Sequence, residues 1–594
     1  MPESPHPNAR RILLHTPLCD ILLRRTPGRL DARAAIASFQ LPDELESLAL
    51  RVARQTRLHR SERVAVAQDL AEHLREGLDD GASPESLLAD FGDERNTARL
   101  IRRSMIRKRS HLARVPRYAV KGSALLSMTL FTAFLLAWII MGTRIWFDSP
   151  NPTKDYVLQL NAPIMGIPAE DRAWPGLESV SAELDQLALA RSKDGESRGS
   201  ELLASFGIDA DQIAIWPTSL ADPEAAAAFM SFNREAGPII EQVRELAERP
   251  ALGIEMDMAE NISLHQIQFT HLGIIHSNIR LLLLGDLQIA VRTNQTERTL
   301  ADLKTLLELA RLMRQQSFLI SQLTAINLET NAFKAVQNIL AQRPDLFEND
   351  QLVELSNLIA LPDERLSISM KDERLYFEDV AQHVYGSNGQ LLPEVFTVIR
   401  DFGISPPLGM DSFAIAPFAL AAAPSRSEAL DTWHRYLDHQ EAAMASNPQD
   451  TKVLSPEELG RYQNLLQSTH EWDDASAFTH YHQYASEFPV NIFLPAFDHL
   501  PEVVRRQRLE RDAAILAIAL EQWRREHGDW PEMLEQLVPN HLEELPSDQF
   551  DEDPLRYLTG ANGPFIYSVG LDKVHDFGDE DKDLILWEAG TDED

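Results

Sequence analysis

From Gly122 to Gly142 the chain reads GSALLSMTLFTAFLLAWIIMG without one charged residue, and this run constrains everything around it. A helix rises about 1.5 Å per residue, so the run spans roughly 30 Å, the thickness of a bilayer's hydrocarbon core. Its polar side chains are the hydroxyls of Ser123, Ser127, Thr129 and Thr132, which can bond back to helix carbonyls and so cost little in lipid. A buried core helix is the alternative reading. Apolarity on every face between Lys121 and Arg144 argues for the membrane.

The flanks predict an orientation. Arg99, Arg102, Arg103, Arg107, Lys108, Arg109, Arg114, Arg117 and Lys121 precede the run with no acidic residue among them. Arg144 and Lys154 follow it, against Asp148 and Asp155. The positive-inside rule then keeps the N-terminus in the cytoplasm and exports the chain after about residue 145. The run starts too late and is too long for a cleaved leader, so it reads as a signal anchor, with Tyr118, Trp138 and Trp146 suited to the interfacial belts. Charge divides accordingly. Residues 1–144 carry 23 Lys and Arg against 16 Asp and Glu, whereas the whole chain has a net charge of −35. A basic part beside an anionic leaflet is favoured, and the acidic remainder excludes nucleic acid as a natural partner while suiting divalent cations. The one cysteine, Cys19, lies on the expected cytoplasmic side, so the exported part has no disulfide framework and must hold by its core.

The expected fold is mainly α. Residues 1–40 read as a basic flexible arm, 41–110 as a small cytoplasmic helical bundle, 111–121 as a basic juxtamembrane linker and 122–143 as the transmembrane helix. In the bundle, Asp43 and Glu44 suit a helix start, and Leu48, Leu50, Val52 and Ala53 make an apolar face. Val64, Val66, Ala67, Leu70, Ala71 and Leu74 repeat it. Asp80-Gly81 turns the chain, Ser83 before Pro84 caps the next helix, and Phe91-Gly92 ends it. His73-Leu74, Gly81 with Ser83, and Phe91-Gly92-Asp93 resemble the pattern of the helical domains called HAAS or permease-prefix domains. That resemblance implies an interaction module in front of a membrane segment, with His73 either solvated or contacting a cytoplasmic partner.

Beyond the membrane, the Pro-rich, aperiodic 144–176 reads as a spacer. Residues 177–345 read as a helical array, irregular or solenoid-like, without a fixed repeat. Its helices are expected over 180–190, 225–248, 262–291, 300–313 and 318–340, with a stop at Gly285-Asp286 and a stripe of Leu300, Leu303, Leu306, Leu307 and Ala310. Residues 346–500 read as helices broken by Pro-rich loops, and the apolar Met410–Ala423 is too short and interrupted for a second span. Residues 501–594 read as a long helix (Leu509, Ala513, Leu516, Leu520 and Trp523 on one side) and a β module. In that module Phe550, Leu555, Tyr557, Phe565, Tyr567 and Val569 alternate around a turn at Gly560–Pro564.

Pro531, Pro546 with Asp548, Leu555-Arg556-Tyr557, Tyr567-Ser568-Val569-Gly570 and an aspartate loop closing on Trp587 resemble the C-terminal module of type II secretion major pseudopilins. The apolar helix of a pilin stands at its mature N-terminus, so the module reads as borrowed. The resemblance implies a calcium loop, with Asp572, Asp581 and Asp583 at its acidic positions and carbonyls near Gly570 beside them. Calcium takes six to eight oxygens, a number that three carboxylates, carbonyls and water can supply. Asp576 and Asp579 add charge that a dication would relieve, while Lys573 and Phe577 stand where the family often has glycine. A solvated acidic turn is the alternative.

His470, Glu471, Asp473, Asp474, His480 and His482 are ligand types at a spacing that fits no metal motif. His265, His271 and His276 read as core or interface histidines. No GxxxxGK[ST] loop or SxxK dyad occurs. The whole chain resembles bacterial single-pass inner-membrane proteins. The expected function is a non-catalytic adaptor, sensor or scaffold that contacts the bilayer, an envelope protein and a cytoplasmic protein. The alternatives are a structural part of a secretion or envelope assembly with a calcium-stabilised loop, and an envelope hydrolase using carboxylates that leave no motif.

Overall fold

The computed structural model describes residues 31–108, 111–191, 199–206, 222–256, 263–267, 269–403, 411–412, 414–445, 455, 458, 460, 490, 497–560 and 563–590, with side chains at 111–124 and 144 excepted. The protein is mainly helical with a small C-terminal sheet. It forms two compact units, Met1–Leu136 and Ala137–Asp594.

In the first unit a short turn, Ala32–Ile36, precedes helices α1 (Asp43–Gln55), α2 (Arg60–Asp79), α3 (Pro84–Phe91) and α4 (Glu94–Lys108). The expected apolar faces make the core: Leu48, Val52, Ala53, Val66, Ala67, Ala71 and Leu74 are buried. Ser83 caps α3 by accepting from the Ser86 amide at 3.2 Å, with Pro84 at the first helical position. His73 is solvated, its nearest charge being Glu76 at 3.9 Å.

Helix α5 (His111–Trp146) carries the apolar run. Thr129 and Thr132 donate to the carbonyls of Leu125 and Met128 at 2.9 and 2.8 Å, so these hydroxyls ask nothing of their surroundings. Among the described residues two helical stretches are long and apolar enough to cross a membrane: Leu125–Thr143, 6% buried, and Thr270–Arg292, 83% buried. The second is a core helix of the second unit. The first exposes Leu125, Leu130, Phe131 and Leu136 on all sides.

The second unit opens on the stretch read as a spacer, which instead lies along the protein. Asp148 accepts from the Ser387 hydroxyl at 3.0 Å, Pro150 bridges Gly386, and the Thr153 and Lys154 amides donate to Gln382 Oε1. Its helix α6 (Tyr156–Met165) buries Tyr156 and Val157. The difference arises because its backbone partners lie more than 200 residues away, beyond the reach of local periodicity.

Helices α7 (Trp174–Arg191), α8 (Pro223–Ala247), α9 (Arg280–Arg292), α10 (Thr296–Met313), α11 (Leu319–Gln342) and α12 (Asn349–Ile359) share one core with α16, on which α11 and α12 pack. Here α16 is the long helix Leu500–His527. Helices α13 (Lys371–Val384), α14 (Glu394–Asp401) and α15 (Arg426–Ala443) form a second core with Ile145 and Val504. The stripe expected on α10 is buried. The helix expected from residue 262 begins at Thr270, runs through a π-helical stretch at Ile274–Ile279 and continues past Gly285-Asp286 to Arg292. Asp286 does not stop it, because the arginines of α8 and the start of α10 neutralise the carboxylate inside the core.

Helix α13 caps α11 from outside: Asp372 accepts from the Ser317 amide and Glu373 from the Leu319 amide, each at 2.7 Å. Burial pushes the Glu373 carboxyl up to about 7, against the Leu319 hydrogen bond. A carboxyl raised above its unfolded value of 4.5 contributes stability below that pH, and the contribution is lost as pH rises through about 7. Discounted for its partial exposure, the loss is about 2 kcal/mol. In urea titrations at pH 4.5 and 7.5, Glu373→Gln is expected to lose that much less stability than wild type; parallel profiles would refute the assignment.

The sheet is β1 (Arg556–Thr559), β2 (Pro564–Ser568) and β3 (Leu584–Glu588), antiparallel in that order, with Arg556 opposite Tyr567 and Thr559 opposite Pro564 as the predicted turn requires. Asp548, 1% exposed, ties its entry by accepting from the Phe550 and Val569 amides and the Ser568 hydroxyl at 3.0, 2.9 and 2.8 Å. The sheet is continuous with the helical core: Trp587 Nε1 donates to the Gln337 carbonyl of α11 at 2.9 Å.

Candidate functional site

The loop between β2 and β3 is where sequence placed the carboxylates. Gly570 and Gly578 take φ values of 68° and 78°. A Cβ on Gly578 would lie 2.3 Å from the Phe565 ring, so only glycine fits there. Lys573 and Phe577 hold the same left-handed backbone at φ 58° and 61°. Non-glycine residues in this region are strained by about 1 kcal/mol or more, and such strain clusters at ligand sites.

Asp572, Asp581 and Asp583 line one cavity of about 370 Å³, together with Gly570, Glu502 and Arg506. Asp572 accepts from the Val574 amide at 3.0 Å, and the Asp581 amide donates to Asp579 at 3.2 Å. Asp583 is 4% exposed; one carboxylate oxygen accepts from the Gly578 amide at 2.7 Å and the other, Oδ1, is buried with no hydrogen-bond partner. An unmatched carboxylate oxygen is costly and suits a cation. Asp576 is already answered by Lys582 Nζ at 3.0 Å. Among the described residues no three His, Cys, Asp or Glu side chains are grouped closely enough to hold a metal as they stand. The structure therefore brings the three predicted aspartates to one cavity without closing them into a cage.

The cluster from His470 to His482 lies outside the described residues. The other three histidines part company. His271 is 3% exposed, and burial pushes its imidazole down to about 4, while the side chain of Gln316 acts in the opposite sense. His265 Nδ1 is 2.8 Å from Ser263 Oγ, and its Nε2 is 3.5 Å from Asp401. These residue types match a hydrolytic triad, but the geometry is a clasp. Ser263 is 2% exposed, and its hydroxyl donates at 2.6 Å to Asp379, which also accepts from the Leu264 amide at 2.7 Å. A nucleophile needs a free approach and a base, and this hydroxyl is committed to a carboxylate in the core.

Sequence reasoning missed a buried ion network. Asp286, fully buried on α9, accepts from Asn233 at 2.9 Å and pairs with Arg244 at 2.8 Å and with Arg298. Arg244 also reaches Asp302 at 2.5 Å. Burial, and then the charge of Asp286, raises the Asp302 carboxyl well above its ordinary value. The only sequence signal was an aspartate inside an apolar helical run.

Compared with protein-family models, curated proteins and solved structures, the chain finds no match.

Proposed function

We propose that the protein is a single-pass, N-in inner-membrane adaptor, sensor or scaffold of a bacterial envelope, anchored by α5, whose extracytoplasmic helical unit engages an envelope protein. The observation that carries this reading is the apolar stretch of α5, bare on every face, between two independently cored helical units. The nine basic residues on one flank support the orientation. The HAAS-like pattern of the first unit supports a cytoplasmic protein partner. The test is affinity purification of the full-length protein from membranes beside a version lacking residues 1–110. A reproducible cytoplasmic partner lost on truncation supports the adaptor. Envelope partners alone move the reading to a structural part of an envelope or secretion assembly. An enzymatic activity of the membrane protein, retained without any partner, would overturn both in favour of a hydrolase.

We further propose calcium as the ion of the terminal loop, where Asp572, Asp581 and Asp583 would hold it and the ion would supply rigidity to β2 and β3. The orphaned Asp583 oxygen and the all-oxygen donor set fit a hard cation. Millimolar calcium is expected to raise the melting temperature of the full-length protein by about 1–2 °C, as about 1–2 kcal/mol of ligand linkage does for a unit of this size. Asp572→Ala with Asp583→Ala should abolish the shift. An unchanged wild-type melting temperature would sink the calcium assignment and leave a solvated acidic loop.

A further inference from the structure

A second cavity, of about 460 Å³, opens where α7 starts, the segment 251–256 passes and the helix of residues 270–292 begins. Aromatic and apolar walls come from Trp174, Phe269, Ile254 and Ile267. The rings of Trp174 and Phe269 stand edge-on to the His271 imidazole at 5.7 and 5.8 Å between centroids. His271 is 97% removed from solvent, and its Nε2 has no hydrogen-bond partner. The π-helical stretch that follows at Ile274–Ile279 is an irregularity frequent at functional sites.

Among the described residues the charged groups lining the cavity are carboxylates, Glu178 and Glu255. Glu255 is answered by Arg172, so Glu178 leaves the rim net negative. Burial keeps His271 neutral near pH 7, so the wall adds no positive charge. Aromatic faces beside a carboxylate attract an organic cation, through the ring quadrupole and through direct Coulomb attraction.

We propose that this cavity binds a small organic cation with an apolar body, an arylalkylamine being the simplest member of the class. The apolar part would lie along Trp174, Ile254 and Ile267, and the ammonium would face Glu178.

The test is calorimetric titration of the full-length protein in nanodiscs with phenethylamine, beside the neutral 2-phenylethanol and the anionic phenylacetate. Thr270→Trp, on the exposed rim, places a ring in the opening and serves as the blank for partitioning into lipid. Phenethylamine is expected to bind wild type about tenfold tighter than either analogue. Glu178→Gln should remove most of that preference, and Thr270→Trp should abolish saturable binding. Equal affinity for the three probes, a preference unchanged by Glu178→Gln, or binding that persists in Thr270→Trp would each overturn the proposal, as would no binding to a wild type that melts cooperatively.

Discussion

Asp286→Ala is expected to destabilise the second unit by about 3–5 kcal/mol, read as a lower urea midpoint at unchanged slope. The side chain is fully buried, and its loss takes the carboxylate from Arg298 and the Asn233 amide and leaves Arg244 to Asp302 and Glu241. Asp302→Asn, one helix away, should cost less: burial and the charge of Asp286 already raise its carboxyl, and the amide oxygen can still accept from Arg244. The two carboxyls share Arg244, so the double variant should depart from the sum of the single ones. Equal losses for the two single variants would refute this ranking.

Trp587→Ala is expected to cost about 3–5 kcal/mol, the range for emptying a buried tryptophan site. The ring is 4% exposed, packs 6.2 Å from Trp530 and bonds the Gln337 carbonyl of α11. Because the sheet shares its core with α10, α11 and α16, the loss should move the helical far-ultraviolet transition itself. A helical transition left in place while only the aromatic near-ultraviolet signal collapses would make the C-terminal module an independent domain.

Much of the local architecture was legible in the sequence. The 3.6-residue spacing of Val64, Ala67, Ala71 and Leu74 and of Leu300, Leu303, Leu307 and Ala310 placed helices and named their buried faces, because burial on one side of a helix leaves that periodicity. The turn at Gly560–Pro564 between two β-like runs was legible, but the pairing was not: Tyr557 sits opposite Ile566 and Phe565 opposite Leu558, so the residues read as one alternating set lie on both faces. The aspartates of the loop were legible as carboxylates but not as neighbours in one cavity, since that depends on how residues 570–584 fold back beside Glu502 and Arg506 of α16.

Helix α16 marks where local reasoning ends. Its sequence shows one apolar side, yet Arg508, Glu510, Asp512 and Glu521 are buried as well. Glu510 is matched from α11 by Gln337 and Lys334, and Arg508 by the Ser367 hydroxyl and the Met444 carbonyl, while Glu521 is paired with Arg524 and Arg525 and Asp512 with Arg511 on α16 itself. A charge reads as a surface residue unless its partner is known.

By itself the sequence determined the apolar helix and its basic flank, the helical class of both units and the hairpin, because each rests on a pattern within some twenty residues. Only the tertiary structure decided that residues 148–156 lie along α13 and the turn that follows it, that Asp286 sits inside a helix core, and that the terminal sheet is part of the helical array. Those outcomes depend on Gln382, Arg244 and Gln337, residues distant in the chain whose hydrogen bonds and charges offset the cost of burying polar groups.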